Sequence, residues 1–245
     1  MSDLVIRRDV GAVAQLILNR PEKLNALNVE LFRALEAHIG DLEKAPPGVV
    51  VVRGAGRCFS AGHDLGDIAA GERLPRPNYQ SHVIERLADL PLPVISAVHG
   101  HCYTGALELA LAGDIILAAE GAKFADTHAK WALTPVWGLS QRLPRRVGTY
   151  KAREMMFTCR TYGGREAAGM GLANLCVADD AFDSALDELT GQILANSAFS
   201  HAANKRLLMA TDGMAQGAGL AHEIYHGEGR GPDMDARIAA FTRRA

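Results

Sequence analysis

The chain has few of the features that would place a protein in a membrane, on a nucleic acid or in an oxidising compartment. Its four cysteines, at positions 58, 102, 159 and 176, are scattered and form no CxxC pair. They read as reduced thiols of a cytoplasmic protein, not as a disulfide framework. Long hydrophobic runs are missing too. The longest apolar stretch, Ala106 to Ala119, is broken by Glu108, Gly113 and Asp114, which excludes a spanning helix. The opening "MSDLVIRRDVGAV" carries charges at positions 3, 7, 8 and 9 and has no apolar core segment, so no signal peptide is expected. With a net charge of −2 there is no strong field to attract nucleic acid or an anionic membrane. The phosphate-binding motif GxxxxGK[ST] and the nucleophile elbow GxSxG are absent, leaving nucleotide-loop and serine-nucleophile chemistry without support. "GEGRG" (227–231) follows no strand, as a dinucleotide fingerprint must. "HGHC" (99–102) has no second cluster at metal spacing and reads as a strand-end turn.

What is present is a chain of 245 residues, 48% hydrophobic, enough for one medium domain with a sizeable core. "DLVIRRDVGAVAQLILNR" reads as two strands with a turn near Asp9–Gly11. Leu31, Leu35, Ile39 and Leu42 recur at helical spacing up to Pro46–Pro47, so an amphipathic helix ends there. "GVVVVRGAG", "VISAVHG" and "DIILAAE" are short apolar runs of the fully buried, parallel kind. Helices "YQSHVIERLADL" and "YTGALELALAG" alternate with them, which gives a parallel α/β layer. From Lys151 onward the pattern is mostly helical, and a shift in composition near residue 190 divides a core, 1–190, from a helical region, 191–245.

Two places share one design. The strand Val49–Val52 runs into "RGAGRCFSAGHDL", and the strand Val94–Val98 runs into "HGHCYTGALELAL". Ligands of open α/β sheets collect beyond the carboxyl ends of strands, and small residues there let backbone approach them. Gly105 opens the helix that carries Glu108, so its N–H is a free donor able to hold a developing oxyanion. Glu108 itself sits in "GALELALAG", a segment otherwise free of charge, so its carboxylate is either paired, exposed at the surface by helix phase, or functional. Burial would raise its pKa and the helix terminus would lower it. A carboxylate beside an oxyanion pocket suits proton transfer at the carbon next to a carbonyl.

"NRPEKLNALN" (19–28), "CFSAGHDL" (58–65), "HGHCYTGALELALAGDI" (99–115) and "PVWGLSQRLPRRVG" (135–148) resemble the enoyl-CoA hydratase/isomerase, or crotonase, family. The likeness covers nearly the whole chain. It implies an α/β fold, a spiral of repeated ββα units, with a C-terminal helical region that helps build a homotrimer or dimer of trimers. It implies an acyl-CoA thioester as substrate, the coenzyme A being carried by the substrate, with no other cofactor and no metal. By the same resemblance the oxyanion donors are the backbone N–H groups of His63 and Gly105. The His63 side chain then needs only to line the pocket or stack on a ring. The CoA part would lie along Lys23, Leu24 and Ala26 and along Ala61, Asp64 and Leu65, and Glu108 falls on the family's first catalytic glutamate.

The second glutamate slot holds His128, in "FADTHAKWALTP", a departure from the family's pattern. An imidazole serves as acid or base near neutral pH. Asp126, two residues away, is placed to orient the ring, to stand in as a second carboxylate, or only to cap local backbone. Three readings follow. One is a hydratase in which Glu108 and His128 divide the acid and base roles. Another is a double-bond isomerase, or other enolate chemistry such as hydrolysis or retro-aldol cleavage, relying on Glu108 alone. The last is an acyl-CoA-binding protein without catalysis. Trp131 and Trp137 flank the suspected pocket and either shape it for a bulky or aromatic acyl group or pack the loop and a subunit contact.

Overall fold

The computed structural model describes residues 3–243. The chain opens with a hairpin of β1 (Val5–Val10) and β2 (Val13–Leu18), paired antiparallel from Val5–Leu18 to Val10–Val13. Ala14, Leu16 and Leu18 alternate inward along β2 and are fully buried, as the period of a strand with one core face requires. α1 (Val29–Lys44) follows. Asn28 caps it, its Oδ1 accepting the Leu31 N–H at 2.9 Å. The stripe Leu31, Leu35, Ile39 and Leu42 is buried without residual exposure, and the helix stops before Pro46 as the spacing predicts.

β3 (Val49–Gly54), α2 (Leu65–Ala69), α3 (Tyr79–Ala88) and β4 (Val94–Val98) come next. Then come β5 (His101–Tyr103), α4 (Gly105–Ala110), β6 (Ile115–Ala119), β7 (Lys123–Ala125), α5 (Leu139–Val147) and α6 (Thr149–Thr158). β8 (Tyr162–Gly163), α7 (Gly164–Gly169), β9 (Leu175–Val177) and α8 (Phe182–Leu194) complete the core. The larger sheet has the order β1-β2-β3-β4-β6-β9 and the smaller β5-β7-β8. Beyond the hairpin every pairing of the larger sheet is parallel. Successive turns of chain add one strand to each sheet and then a helix, the expected spiral of ββα units. One face of the larger sheet is covered by α1 and α3, the other by α8 through Phe182, Leu186 and Ile193. The all-valine run Val49–Val52 lies between these two layers and is fully buried.

Three features differ from the sequence expectation. β5, β7, β8 and β9 are strands of two or three residues, too short to show a period. His101, expected in a turn, therefore begins a strand of the smaller sheet. The boundary at 190/191 falls inside α8, which belongs to the core. The exposed helices begin later, with α9 (Ala198–Thr211), α10 (Gln216–His226) and α11 (Met234–Thr242). Among the described residues no helix is long and apolar enough to cross a membrane.

Asn25 ties the first turn of the spiral to the second. It is fully buried at φ +54°. Its Nδ2 donates to the carbonyls of Ala55 and Cys58, both at 2.8 Å, and its Oδ1 accepts the Arg20 N–H at 2.9 Å. Asn25→Ala leaves these groups buried and unpaired. It is expected to lower unfolding free energy by about 3 kcal/mol in urea titration, with the fold retained.

Candidate active site

β3 and β4 are neighbours and run parallel, so the loops leaving their carboxyl ends emerge side by side. They stay paired beyond the sheet. Phe59 N–H donates to His99 O at 2.7 Å, and Ser60 N–H to His101 O at 2.9 Å. Gly62 then crosses so close to the other strand, at φ +103°, that a Cβ would lie 2.5 Å from Tyr103 O. Only glycine fits there. The result is that His63 and Gly105 face each other: a Cβ placed on Gly105 would sit 3.2 Å from His63 N. Neither N–H donates to a main-chain or side-chain acceptor among the described residues, and the two form an open donor pair.

Thr104 holds this turn in a conformation β-branched residues avoid, φ +54° and ψ −110°. Its N–H donates to Ala125 O at 2.8 Å, its hydroxyl pairs with that of Thr127, and Thr127 N–H donates to Thr104 Oγ1 at 3.1 Å. The turn before Gly105 and the segment carrying His128 are thereby one unit.

Glu108 is 1% exposed. Its Oε1 accepts the N–H of Trp137 at 2.8 Å and of Leu139 at 3.1 Å. Leu139 is the first residue of α5, where an N–H has no partner within the helix. Burial pushes the Glu108 carboxyl above its ordinary value, against the two N–H donors and His128, which favour the anion. Because Oε1 is occupied as an acceptor, a proton on this carboxyl resides on Oε2. That oxygen lies 3.7 Å from His128 Nε2. The distance is long for a hydrogen bond and short enough for one water oxygen to reach both at about 2.8 Å. On the far side of the ring Nδ1 lies 2.6 Å from Asp126 Oδ1, which also accepts the His128 backbone N–H at 3.2 Å. Asp126 therefore both caps the turn and orients the ring. A carboxylate accepting from Nδ1 leaves the neutral ring with its lone pair on Nε2, toward Glu108.

These groups open onto a cavity of about 610 Å³ lined by Ala61, His63, Leu65, Ile68, Glu72, Gly105, Glu108, His128, Trp131, Leu133, Val136 and Trp137, among others. Of the residues expected along the CoA part, Ala61 and Leu65 line this cavity. Leu24 and Ala26 belong to the strip that pairs with 61–64, Ala61 N–H donating to Leu24 O at 2.9 Å and Leu27 N–H to Gly62 O at 2.8 Å. Lys23 is exposed at the start of that strip. The Asp64 carboxylate turns to Arg20 at 3.1 Å and to the Gly66 N–H at 3.1 Å. Burial alone would raise its pKa, yet these partners hold it below the ordinary value. The His63 ring stacks on Trp137 with centroids 4.6 Å apart. It also reaches Glu72, Nε2 lying 3.0 Å from Oε1, while Gln80 donates to the same carboxylate at 2.9 Å.

Sequence reasoning missed Glu72 and the two N–H groups that hold Glu108. The second was signalled by "WGL" just ahead of a helix start. Trp137 is buried, while Trp131 is half exposed at the cavity wall. Among the described residues no group of three or more His, Cys, Asp and Glu is placed to hold a metal ion.

The sequence model of the family described as "Enoyl-CoA hydratase/isomerase" matches residues 8–226. A probable peroxisomal enoyl-CoA hydratase 1 of Arabidopsis thaliana is 34% identical over 170 residues, covering 69% of this chain and 64% of that protein. A probable enoyl-CoA hydratase of Rhodobacter capsulatus is 32% identical over 251 residues, covering 100% of this chain and 97% of that one. Among solved structures, a putative enoyl-CoA hydratase from Thermobifida fusca in complex with CoA superposes with a TM-score of 0.81 at 27% identity, covering 98% of this chain and 95% of that one. The chain belongs to the enoyl-CoA hydratase/isomerase family. It has the crotonase fold and is an enzyme of that family.

The raised Glu108 pKa has a sign for stability. The unfolded chain gives up this proton near 4.5, the folded chain only at higher pH. Stability is therefore complete below the unfolded value and declines as pH rises through the folded one. Glu108→Gln keeps an oxygen for both N–H donors and has no such decline. Thermal melts from pH 4 to 8 are expected to show the variant gaining on the native chain as pH rises.

Proposed function

We propose that this enzyme is a hydratase adding water to a 2-enoyl-CoA. The observation that carries the reading is the buried pair of Glu108 Oε2 and His128 Nε2, 3.7 Å apart, on the cavity that also exposes the His63 and Gly105 donors. In this reading the thioester oxygen accepts from the two backbone N–H groups, and water lies between the pair. His128 Nε2 takes a proton from water as its oxygen bonds to Cβ. The alkene electrons move into the thioester, whose oxygen becomes the oxyanion. Glu108 delivers its proton to Cα as the enolate collapses. The pair has then changed from neutral acid and neutral base to carboxylate and imidazolium, and return of the proton from Nε2 to Oε2 resets it. No proton needs to enter from bulk water.

The CoA part is placed along Leu24, Ala26, Ala61 and Leu65, with Lys23 at its solvent end. Asp64 acts here through Arg20, which also donates to the Ala26 carbonyl at 2.6 Å. Copies of the chain would meet through the C-terminal helices, where Leu208, Ile224, Tyr225 and Phe241 are each more than 70% exposed, consistent with a homotrimer or a dimer of trimers.

Loss of the enoyl absorbance of crotonyl-CoA tests the reading. Glu108→Gln and His128→Ala are each expected to lower kcat by about 10²–10⁴-fold while a saturated acyl-CoA still binds. The native kcat is expected to fall as pH rises through the raised Glu108 value, since the acid form is consumed at Cα. Binding without any turnover of crotonyl-CoA would refute hydration. Turnover unchanged in His128→Ala would leave Glu108 acting alone, as in a double-bond isomerase. A large gain in His128→Glu would mark a native reaction other than hydration.

A further inference from the structure

Trp137 touches three parts of the reacting constellation at once. Its N–H holds Glu108 Oε1 at 2.8 Å. Its indole stacks on the His63 ring at 4.6 Å, tilted by 40°. The same indole lies against the oxyanion glycine, for a Cβ on Gly105 would be 2.5 Å from Cζ3 and 3.1 Å from Cε3. The ring is fixed from behind. Phe32 meets it edge-on at 5.1 Å and 72°, Arg142 holds the Trp137 carbonyl at 3.0 Å, and Ser81 holds the Val136 carbonyl at 2.6 Å. Only 3% of the residue is exposed.

We propose that the Trp137 indole is a specificity-determining wall that admits acyl thioesters unbranched at Cα and excludes those with a substituent there. The inference rests on the acyl-CoA reading above. With the thioester oxygen between His63 N and Gly105 N, Cα is one bond beyond the carbonyl carbon, on the way to Glu108 Oε2. Trp137 flanks that short path, with its ring at the donor pair and its main chain holding the other carboxyl oxygen, Oε1. Where not even one methyl group fits on Gly105, a methyl on Cα meets the same ring. Close-packed aromatic surroundings yield little to an extra carbon. Ile68, Leu133 and Val136, all apolar, line the same cavity of about 610 Å³, so in this reading chain length is tolerated where branching is not.

Isomeric ligands isolate the effect. Butanoyl-CoA and 2-methylpropanoyl-CoA differ only in moving one methyl group to Cα, and neither can be hydrated. Their dissociation constants are measured by calorimetry on the native enzyme, Trp137→Phe and Trp137→Ala. The native enzyme is expected to favour the unbranched isomer by about tenfold or more. Trp137→Ala should bring the ratio close to one, with Trp137→Phe between. The kcat/KM ratio for crotonyl-CoA over 2-methylpropenoyl-CoA should fall in the same order. A role in packing alone would weaken both isomers together and leave the ratios in place. Equal native affinities, or a ratio that survives in both variants, would overturn the inference while leaving the acyl-CoA reading intact. If neither thioester binds the native enzyme, both are wrong. Trp137→Phe keeps the aromatic packing against Phe32 and His63, so the comparison holds even if Trp137→Ala fails to fold.

Discussion

The buried carboxyl of Glu108 is the constraint on which the site depends. A carboxyl taken out of water must be neutralised, paired or hydrogen-bonded, and this one is given partial measures of all three. Two N–H groups, one of them left over at the start of α5, hold Oε1. The imidazole of His128 stands off Oε2 without closing a direct hydrogen bond. Burial raises this carboxyl's pKa while the two N–H donors and His128 oppose the rise, and in the proposed hydration it gives and regains a proton each turnover.

The rest of the fold is arranged so that these few contacts occur together. β3 and β4 bring the His63 and Gly105 N–H groups together because parallel neighbours end at the same edge of a sheet. The smaller sheet then carries the His128 segment back toward them. β5 precedes Thr104 and β7 precedes Asp126, and these strands are themselves paired from His101–Lys123 to Tyr103–Ala125. The hydroxyl contact between Thr104 and Thr127 completes that link. Strain at Thr104 persists because both flanks are tied down.

Much of this is legible in the amino-acid sequence. Glu108 stands out as a charge within an apolar helix, Gly105 as its first residue, and His128 as an imidazole where the resembled family has a carboxylate. The parallel strands announce themselves as continuous valine and isoleucine runs. What stayed hidden has a common cause. Strands of two or three residues show no period, so the smaller sheet left no trace. Contacts such as His63 with Glu72 or Arg20 with Asp64 join positions nine and 44 residues apart through folded loops, and no local spacing encodes them. Asp64 shows the effect most clearly. By resemblance it belongs to ligand binding, but its carboxylate is taken up by Arg20 and by the start of α2.

The paired run from Phe59–His99 to Ser60–Cys102 has a mechanical consequence. The His63 and Gly105 N–H groups each lie three residues beyond the paired Ser60 and Cys102, so the two segments are laced together almost up to them. A displacement of the sheet edge would carry both groups the same way. Lacing of this kind opposes a change in the gap between the two groups more than a shift of both together. In the proposed reaction the pair clasps a single oxygen, for which the gap is the dimension that matters, and it is the one the lacing constrains.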